Sequence, residues 1–380
     1  MVTTTTPEAV AELLDTDDPV TIVDTRDEES FDAWRMPGAH RVRFVPGDEL
    51  TEDERERVAE LADGGPIVTV CGKGIASAAF GAALSDAGFE DVRVMLGGME
   101  GWAEVHERVP IPIDGAEVVQ VQRRSTGCLG YVIGCPETGS AAVVDPTLQR
   151  EAFKVAAVDA GLTIERVIDT HVHADHVSGG PRLAGELGVP YHMPAAARDR
   201  NVSREFEPVA DGETIAVGEV EVTALHAPGH TSDLTAFRVG EEALLTADAL
   251  FVDGVGRTEL EFGDADAKEG AQMLYRTLHN VFLGEPDDQS VLPGHASVAA
   301  DGTVSGGSFG APIAVQLGDL RRELDLLDLD EEAFVERVTS GDSDKPANYE
   351  AIVAINSGRE TVHDELELRR LEMGPNNCSA

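Results

Sequence analysis

Seven side chains in this sequence, His171, His173, Asp175, His176, His230, Asp248 and His295, are of types that bind transition metals. Four of them fall within six positions in Thr170-His171-Val172-His173-Ala174-Asp175-His176, directly after an apolar run. Imidazole nitrogen and carboxylate oxygen are donors that zinc and iron accept, and a loop at a strand end lets several converge on one point. His230 in Ala-Pro-Gly-His-Thr and His295 in Leu-Pro-Gly-His also stand at turns after apolar strands, and Asp248 closes another in Leu-Leu-Thr-Ala-Asp. Such a density of donors predicts a metal site.

A second chemistry centres on Cys71. It ends an apolar run and opens Cys71-Gly72-Lys73-Gly74-Ile75-Ala76 at the start of a helix-like segment. Backbone N–H groups of such a loop, with the helix dipole, stabilise an anion and lower a thiol's pKa. Lys73 adds positive charge. A thiolate placed there can attack sulfane sulfur and carry it as a persulfide. Cys128, Cys135 and Cys378 read as structural, since four cysteines in 380 residues do not suggest a disulfide framework.

These groups must be held by two different kinds of framework. Residues 1–108 alternate: helices over 7–14, 28–35, 52–62 and 75–87, and buried strands over 20–24, 66–71 and 91–96. That alternation predicts a parallel sheet covered on both faces. Two prolines and a glycine in 109–115 suit a linker. Beyond it, paired strands are expected at 130–134 and 141–145, then a helix over 150–160 and a strand over 166–169. Strands return at 214–227, 235–239, 243–246 and 290–293, with helices over 267–283 and 312–327. Mixed strand clusters flanked by helices indicate an α/β sandwich. The expected division is residues 1–110, a linker at 111–116, and 117–380.

Composition narrows the partners. The formal net charge is −42, from 71 acidic and 29 basic residues, and the acids are spread along the chain. Such a surface repels phosphate backbones, so no nucleic-acid partner is expected. It fits a halophilic protein, whose self-repulsion is screened at high salt. No apolar run approaches the roughly 20 residues that span a bilayer, and residues 1–6 have neither a basic nor an apolar leader pattern. The expectation is therefore a cytoplasmic protein with no membrane partner.

The motifs carry two resemblances. Val23-Asp24-Thr25-Arg26, Phe31 to His40, the six-residue Cys71 loop and Leu96-Gly97-Gly98-Met99-Glu100-Gly101-Trp102 are similar to the rhodanese family over residues 7–108. Ala76 stands where many rhodaneses have Arg. From about 115 to 355 the histidine motifs resemble the metallo-β-lactamase superfamily, which implies an αββα sandwich with metal at one edge of its sheets. Within it, Ala174, Ser178-Gly179, Gly256-Arg257-Thr258-Glu259 and the segment 344–356 look like persulfide dioxygenases, the alternative being glyoxalase II. Ala247, Ser232-Asp233 and Glu259 depart from the dioxygenase pattern without touching the donors.

The first resemblance implies sulfur transfer through Cys71. The second implies one Fe(2+) per chain held by His171, His230 and Asp248, with His173, Asp175, His176 and His295 orienting ligands and moving protons. Asp175 joins Cys71 as an expected catalytic group, and Arg257 is a candidate to bind a carboxylate of the thiol carrier. The implied reaction is O2-dependent oxidation of a low-molecular-weight thiol persulfide to sulfite, with thiosulfate as a further small-molecule partner and a homodimer as the assembly. In the glyoxalase II alternative the same donors hold two Zn(2+) and hydrolyse a hydroxyacyl thioester.

Overall fold

The structure is a computed structural model, and it describes residues 2–340, 345–346 and 348–373, with no side chain described at 264. Cys378, and positions 344 and 347 of the C-terminal motif, lie outside the described residues. The N-terminal sheet has five parallel strands: β1 (Thr3–Thr5), β2 (Thr21–Asp24), β3 (His40–Arg41), β4 (Ile67–Val70) and β5 (Val92–Met95), in the order β1-β5-β4-β2-β3. Helices α1 (Pro7–Leu14), α2 (Glu28–Ala33), α3 (Glu52–Leu61), α4 (Ile75–Asp86) and α5 (Gly98–Trp102) connect them. β2 and β4 are buried throughout, as strands covered on both faces must be. One face packs Ile22, Val68 and Val70 on Trp34, Met99 and Trp102, and the other packs Val23 and Ile67 on Phe80 and Leu84.

Two further sheets follow. The seven-stranded sheet contains β6 (His106–Ile113), β7 (Ala116–Arg123), β8 (Leu129–Gly134), β9 (Ser140–Val144), β10 (Thr163–Ile168), β11 (Tyr191–Pro194) and β12 (Glu207–Val209) in sequential order. The six-stranded sheet contains β13 (Thr214–Val217), β14 (Val220–His226), β15 (Thr235–Val239), β16 (Ala243–Ala247), β17 (Ser290–Pro293) and β18 (Val315–Gln316), also in order. Side-chain alternation along each strand sorts residues between layers. Ala142, Val144, Tyr131 and Ile133 meet Val222, Phe237 and Leu245 between the sheets. Val143 and Val132 point outward to α6 (Arg150–Asp159) and α7 (Gly180–Leu187), against Phe153 and Leu183. Leu244 and Ala236 point to α8 (Glu259–Thr277), α9 (Leu317–Glu323) and α10 (Glu331–Thr339), against Leu274, Leu320 and Phe334. The layers are αββα. Two last helices, α11 (Tyr349–Asn356) and α12 (Glu365–Leu371), close the described chain.

Three local expectations need correction. The segment 109–115, read as suiting a linker and bounded as one at 111–116, is mostly strand: β6 runs to Ile113 and pairs antiparallel with β7 through a turn at Asp114 and Gly115. Pro110 and Pro112 are tolerated because β6 is an edge strand, where a missing N–H breaks no ladder. The helix expected over 312–327 starts only at Leu317, because Val315 and Gln316 pair with Val291 and Ser290. The helix expected over 267–283 begins earlier, at Glu259, is interrupted by non-helical backbone at Gly263, and passes into a π turn at Leu278–Phe282. Among the described residues no helix is long and apolar enough to cross a membrane.

Candidate metal centre and candidate thiol loop

The metal loop leaves β10 at the edge of the two facing sheets, and buried hydrogen bonds fix its shape. Thr170 donates from its amide (2.7 Å) and hydroxyl (2.8 Å) to Asp145, which follows β9. Asp233 accepts from the Val172 amide at 2.9 Å and is itself held by Arg200 at 2.9 Å. His230 arrives on the turn after β14, where Gly229 (φ 148°) passes so close to α8 that a Cβ would lie 2.4 Å from Leu274 Cα. Asp248 follows β16 through Ala247, an L-residue held at φ 47° in the left-handed region. His295 follows β17, where the Leu129 amide donates to Gly294 O at 2.8 Å.

The hydrogen bonds decide which nitrogen each imidazole offers. Because the Thr170 hydroxyl donates to Asp145, it can only accept from His171 Nδ1 at 2.9 Å, leaving the His171 Nε2 lone pair exposed to the centre. His230 Nδ1 donates to Arg257 O at 2.7 Å, which frees its Nε2 in the same way. The two Nε2 atoms stand 3.7 and 3.6 Å from Asp248 Oδ2. His173 donates from Nε2 to Asp145 at 3.1 Å, and burial is the chief influence holding His171 well below the ordinary imidazole range, so it stays a neutral donor.

The donors therefore sort into three buried groups: His171, His230 and Asp248; Cys128, Asp175, His176 and His295; and Asp145, Asp169 and His173. In the second, Asp175 Oδ2 accepts from His176 Nδ1 at 2.9 Å and His295 Nε2 at 2.8 Å, and His295 Nδ1 reaches Asp248 Oδ1 at 2.7 Å. Five buried atoms of these groups, Asp169 Oδ1, His171 Nε2, His173 Nδ1, His176 Nε2 and Asp248 Oδ2, have no hydrogen-bond partner. Each such orphan costs about 1–3 kcal/mol, and a cluster of them is what a bound cation would compensate. The residues fit a metal.

Cys128 corrects its reading as a structural thiol. It is 2% exposed, its Sγ lies 3.6 Å from Asp175 Oδ2, and its backbone bridges to His295. Burial raises its pKa, but His295 and His176 outweigh that and bring it down to about 6. Spacing in the sequence gives no hint of this, because only the pairing of β8 with the turn after β17 brings the two together. Arg257 is 3% exposed, with its guanidinium paired to Glu259 and its carbonyl orienting His230.

Cys71 sits at the end of β4. Its Sγ accepts from the Gly74 amide at 3.1 Å and the Ser77 hydroxyl at 3.4 Å. Burial pushes the thiol up, and the hydrogen bonds from Ser77, Lys73 and Gly74 more than reverse this, leaving it below its usual pKa. Lys73 is paired with Glu100 at 3.4 Å. Ile75 and Ala76 open α4, and the Gly72 and Cys71 carbonyls accept from the amides of Glu100 (3.0 Å) and Met99 (2.8 Å). Gly98 (φ 58°) permits that approach, since a Cβ there would lie 2.1 Å from Cys71 O. Gly98→Ala is expected to destabilise the fold by about 1–3 kcal/mol. A thermal unfolding midpoint equal to that of the unmodified chain would contradict this close contact.

Residues 6–105 match the rhodanese-like domain and residues 126–327 match the metallo-beta-lactamase superfamily. A hydroxyacylglutathione hydrolase of Polaromonas is 36% identical over 170 residues, covering 43% of this chain and 60% of that protein. The mitochondrial persulfide dioxygenase ETHE1 of Bos taurus is 29% identical over 169 residues, covering 43% of this chain and 62% of that protein. The chain thus spans about three fifths of the length of these two relatives. The crystal structure of ETHE1 from Myxococcus xanthus superposes with a TM-score of 0.54 at 26% identity, covering 63% of this chain and 98% of that one.

Proposed function

We propose, from the premise that this chain belongs to the metallo-β-lactamase superfamily and carries a rhodanese-like domain, that it oxidises a low-molecular-weight thiol persulfide with O2 and exchanges sulfane sulfur through Cys71. The overall reaction balances as RSSH + O2 + H2O giving RSH, sulfite and two protons. The observation that carries this reading is the separation of His171, His230 and Asp248 into their own buried set. Two imidazoles and one carboxylate are the donor set of non-haem iron oxygenases, with positions left open for substrates. Iron(II) held there would supply electron transfer between the persulfide sulfur and O2.

The chain's own groups do the rest. Thr170 and Arg257 O keep the free nitrogens of His171 and His230 aimed at one point. The file Asp175, His295, Asp248, linked at 2.8 and 2.7 Å, can hold a released proton on an imidazole between two carboxylates. In the rhodanese-like domain, the Cys71 thiolate attacks the outer sulfur of thiosulfate. The Cys–S bond forms as the S–S bond of thiosulfate breaks, and sulfite leaves. A free thiol RSH then takes that sulfur: its S–S bond forms as the Cys71 S–S bond breaks and its proton passes to the persulfide, so RSSH forms and the Cys71 thiolate returns.

A second reading, a binuclear thioester hydrolase, is favoured by the four-donor group Cys128, Asp175, His176 and His295, which could hold a second ion. One experiment separates them: O2 uptake by anaerobically iron-loaded chain given a thiol persulfide, with metal content measured alongside. Uptake yielding sulfite at about one iron per chain supports the dioxygenase. Two zinc per chain with thioester turnover and no O2 uptake sinks it. Loading with Co(II) adds a spectroscopic check. The dioxygenase reading expects no thiolate-to-cobalt charge-transfer band, whereas a band lost in Cys128→Ala would place a metal on Cys128.

A further inference from the structure

The last described residues reach back to the metal loop. Asn356, at the end of α11, donates from Nδ2 to His173 O (2.9 Å) and His176 O (2.8 Å) and accepts from the Ser178 amide at 2.9 Å. Glu372, just past α12, accepts from the Val177 amide at 2.5 Å through Oε1. Its Oε2 accepts from Arg123 Nη1 at 2.7 Å. Arg123, 2% exposed, donates from Nε to Ala103 O at 2.8 Å, at the end of α5 in the rhodanese-like domain. One carboxylate thus joins the residue beside His176 to a guanidinium anchored on the other domain.

The same helix touches that domain again. Arg369 pairs with Glu104 at 3.2 Å and Arg370 with Glu100 at 3.7 Å, and Met373 packs on the core that contains Met99 and Trp102. Glu100 also donates its amide to the Cys71 loop at Gly72. A fully buried ion pair adds little net stability, because desolvation offsets the Coulomb gain. What it does provide is a fixed position, since either partner alone would be an uncompensated buried charge.

We propose that Glu372 is a positioning residue for the metal loop, held in place by Arg123, which is itself anchored on the rhodanese-like domain. It acts on the backbone at Val177 and, through it, on His176, while Asn356 holds the flanking carbonyls. The proposal rests on the loop holding a metal and not on which reaction follows, so its test reads metal binding rather than turnover.

The experiment is Co(II) titration of the full chain, read as affinity and as the visible d–d spectrum, with thermal unfolding as the folding control. Groups that orient metal ligands typically change affinity by about 10–100-fold when removed. Glu372→Ala is therefore expected to weaken Co(II) binding by about tenfold or more and to alter the spectrum. Glu372→Gln, whose amide cannot satisfy the Val177 N–H and Arg123 together, is expected to fall between Ala and the unmodified chain. Arg370→Ala, which removes only a surface contact of α12, is expected to change neither readout. Unchanged affinity and spectrum in either folded Glu372 variant would overturn the proposal. So would an equal loss in Arg370→Ala, which would assign the effect to the docking of α12 as a whole. Glu372→Gln keeps the test decisive if Glu372→Ala does not fold.

Discussion

Asp248→Ala is expected to abolish measurable O2 uptake with a thiol persulfide and to weaken iron binding by more than about 100-fold, above the range for groups that only orient ligands. The size follows from its position. Asp248 is the only carboxylate in the set with His171 and His230, and its Oδ2 is one of the buried atoms with no hydrogen-bond partner. Its other oxygen takes His295 Nδ1 at 2.7 Å, so the substitution also loosens the contact between two donor groups. Asp248→Asn keeps the shape and one acceptor for His295 but removes the charge, and should fall between the two. Far-ultraviolet circular dichroism and a melting curve establish that the variants are folded, and metal analysis reads the binding. A folded Asp248→Ala chain that keeps its iron and its O2 uptake would remove Asp248 from the centre and sink the mononuclear reading.

Cys71→Ser is the second large effect. Sulfur transfer from thiosulfate should vanish, because a serine hydroxyl neither ionises near neutral pH nor carries sulfane sulfur. Oxidation of added persulfide by the metal domain should remain within about twofold, since no residue of the Cys71 loop belongs to the donor groups. The pH dependence has a defined sign. A thiol below its usual pKa forms thiolate at lower pH, so transfer should rise with pH with its midpoint below that of an ordinary thiol. Ser77→Ala removes the hydroxyl at 3.4 Å from Sγ and should shift the rise to higher pH. A midpoint for the unmodified chain at or above that of an ordinary thiol would contradict the anion-stabilising role of the loop. Loss of persulfide oxidation in Cys71→Ser would show instead that the two reactions share this thiol.

Much of the frame is legible in local pattern. The largely apolar runs at 20–23 and 67–70 are flanked by helix-forming segments, and both belong to central parallel strands. The metal donors announce themselves because strand ends are where a chain can leave the sheet with its side chains aimed at one edge. The helix α4 is legible from its start at the Cys71 loop, whose glycines allow the tight turn that aims N–H groups at sulfur. Pro110 and Pro112 misled for a physical reason: proline argues against a central strand, but which strand becomes the edge is not a local property.

Residue types and spacing by themselves marked out two candidate sites, one on a thiol loop and one on a dense set of histidines and aspartates. Only the tertiary structure decided how those donors divide. Which imidazole nitrogen faces the centre depends on Thr170, Asp145 and Arg257 O, partners supplied by other strands and loops. Cys128 joined the second group because β8 begins beside the turn that carries His295. Arg257 met Glu259, and Glu372 reached Val177 from the far end of the described chain. Periodicity reports only what a residue's near neighbours on one element do. Convergence of groups far apart in sequence is set by strand register and buried hydrogen bonds, which exist once the sheets have closed on one another.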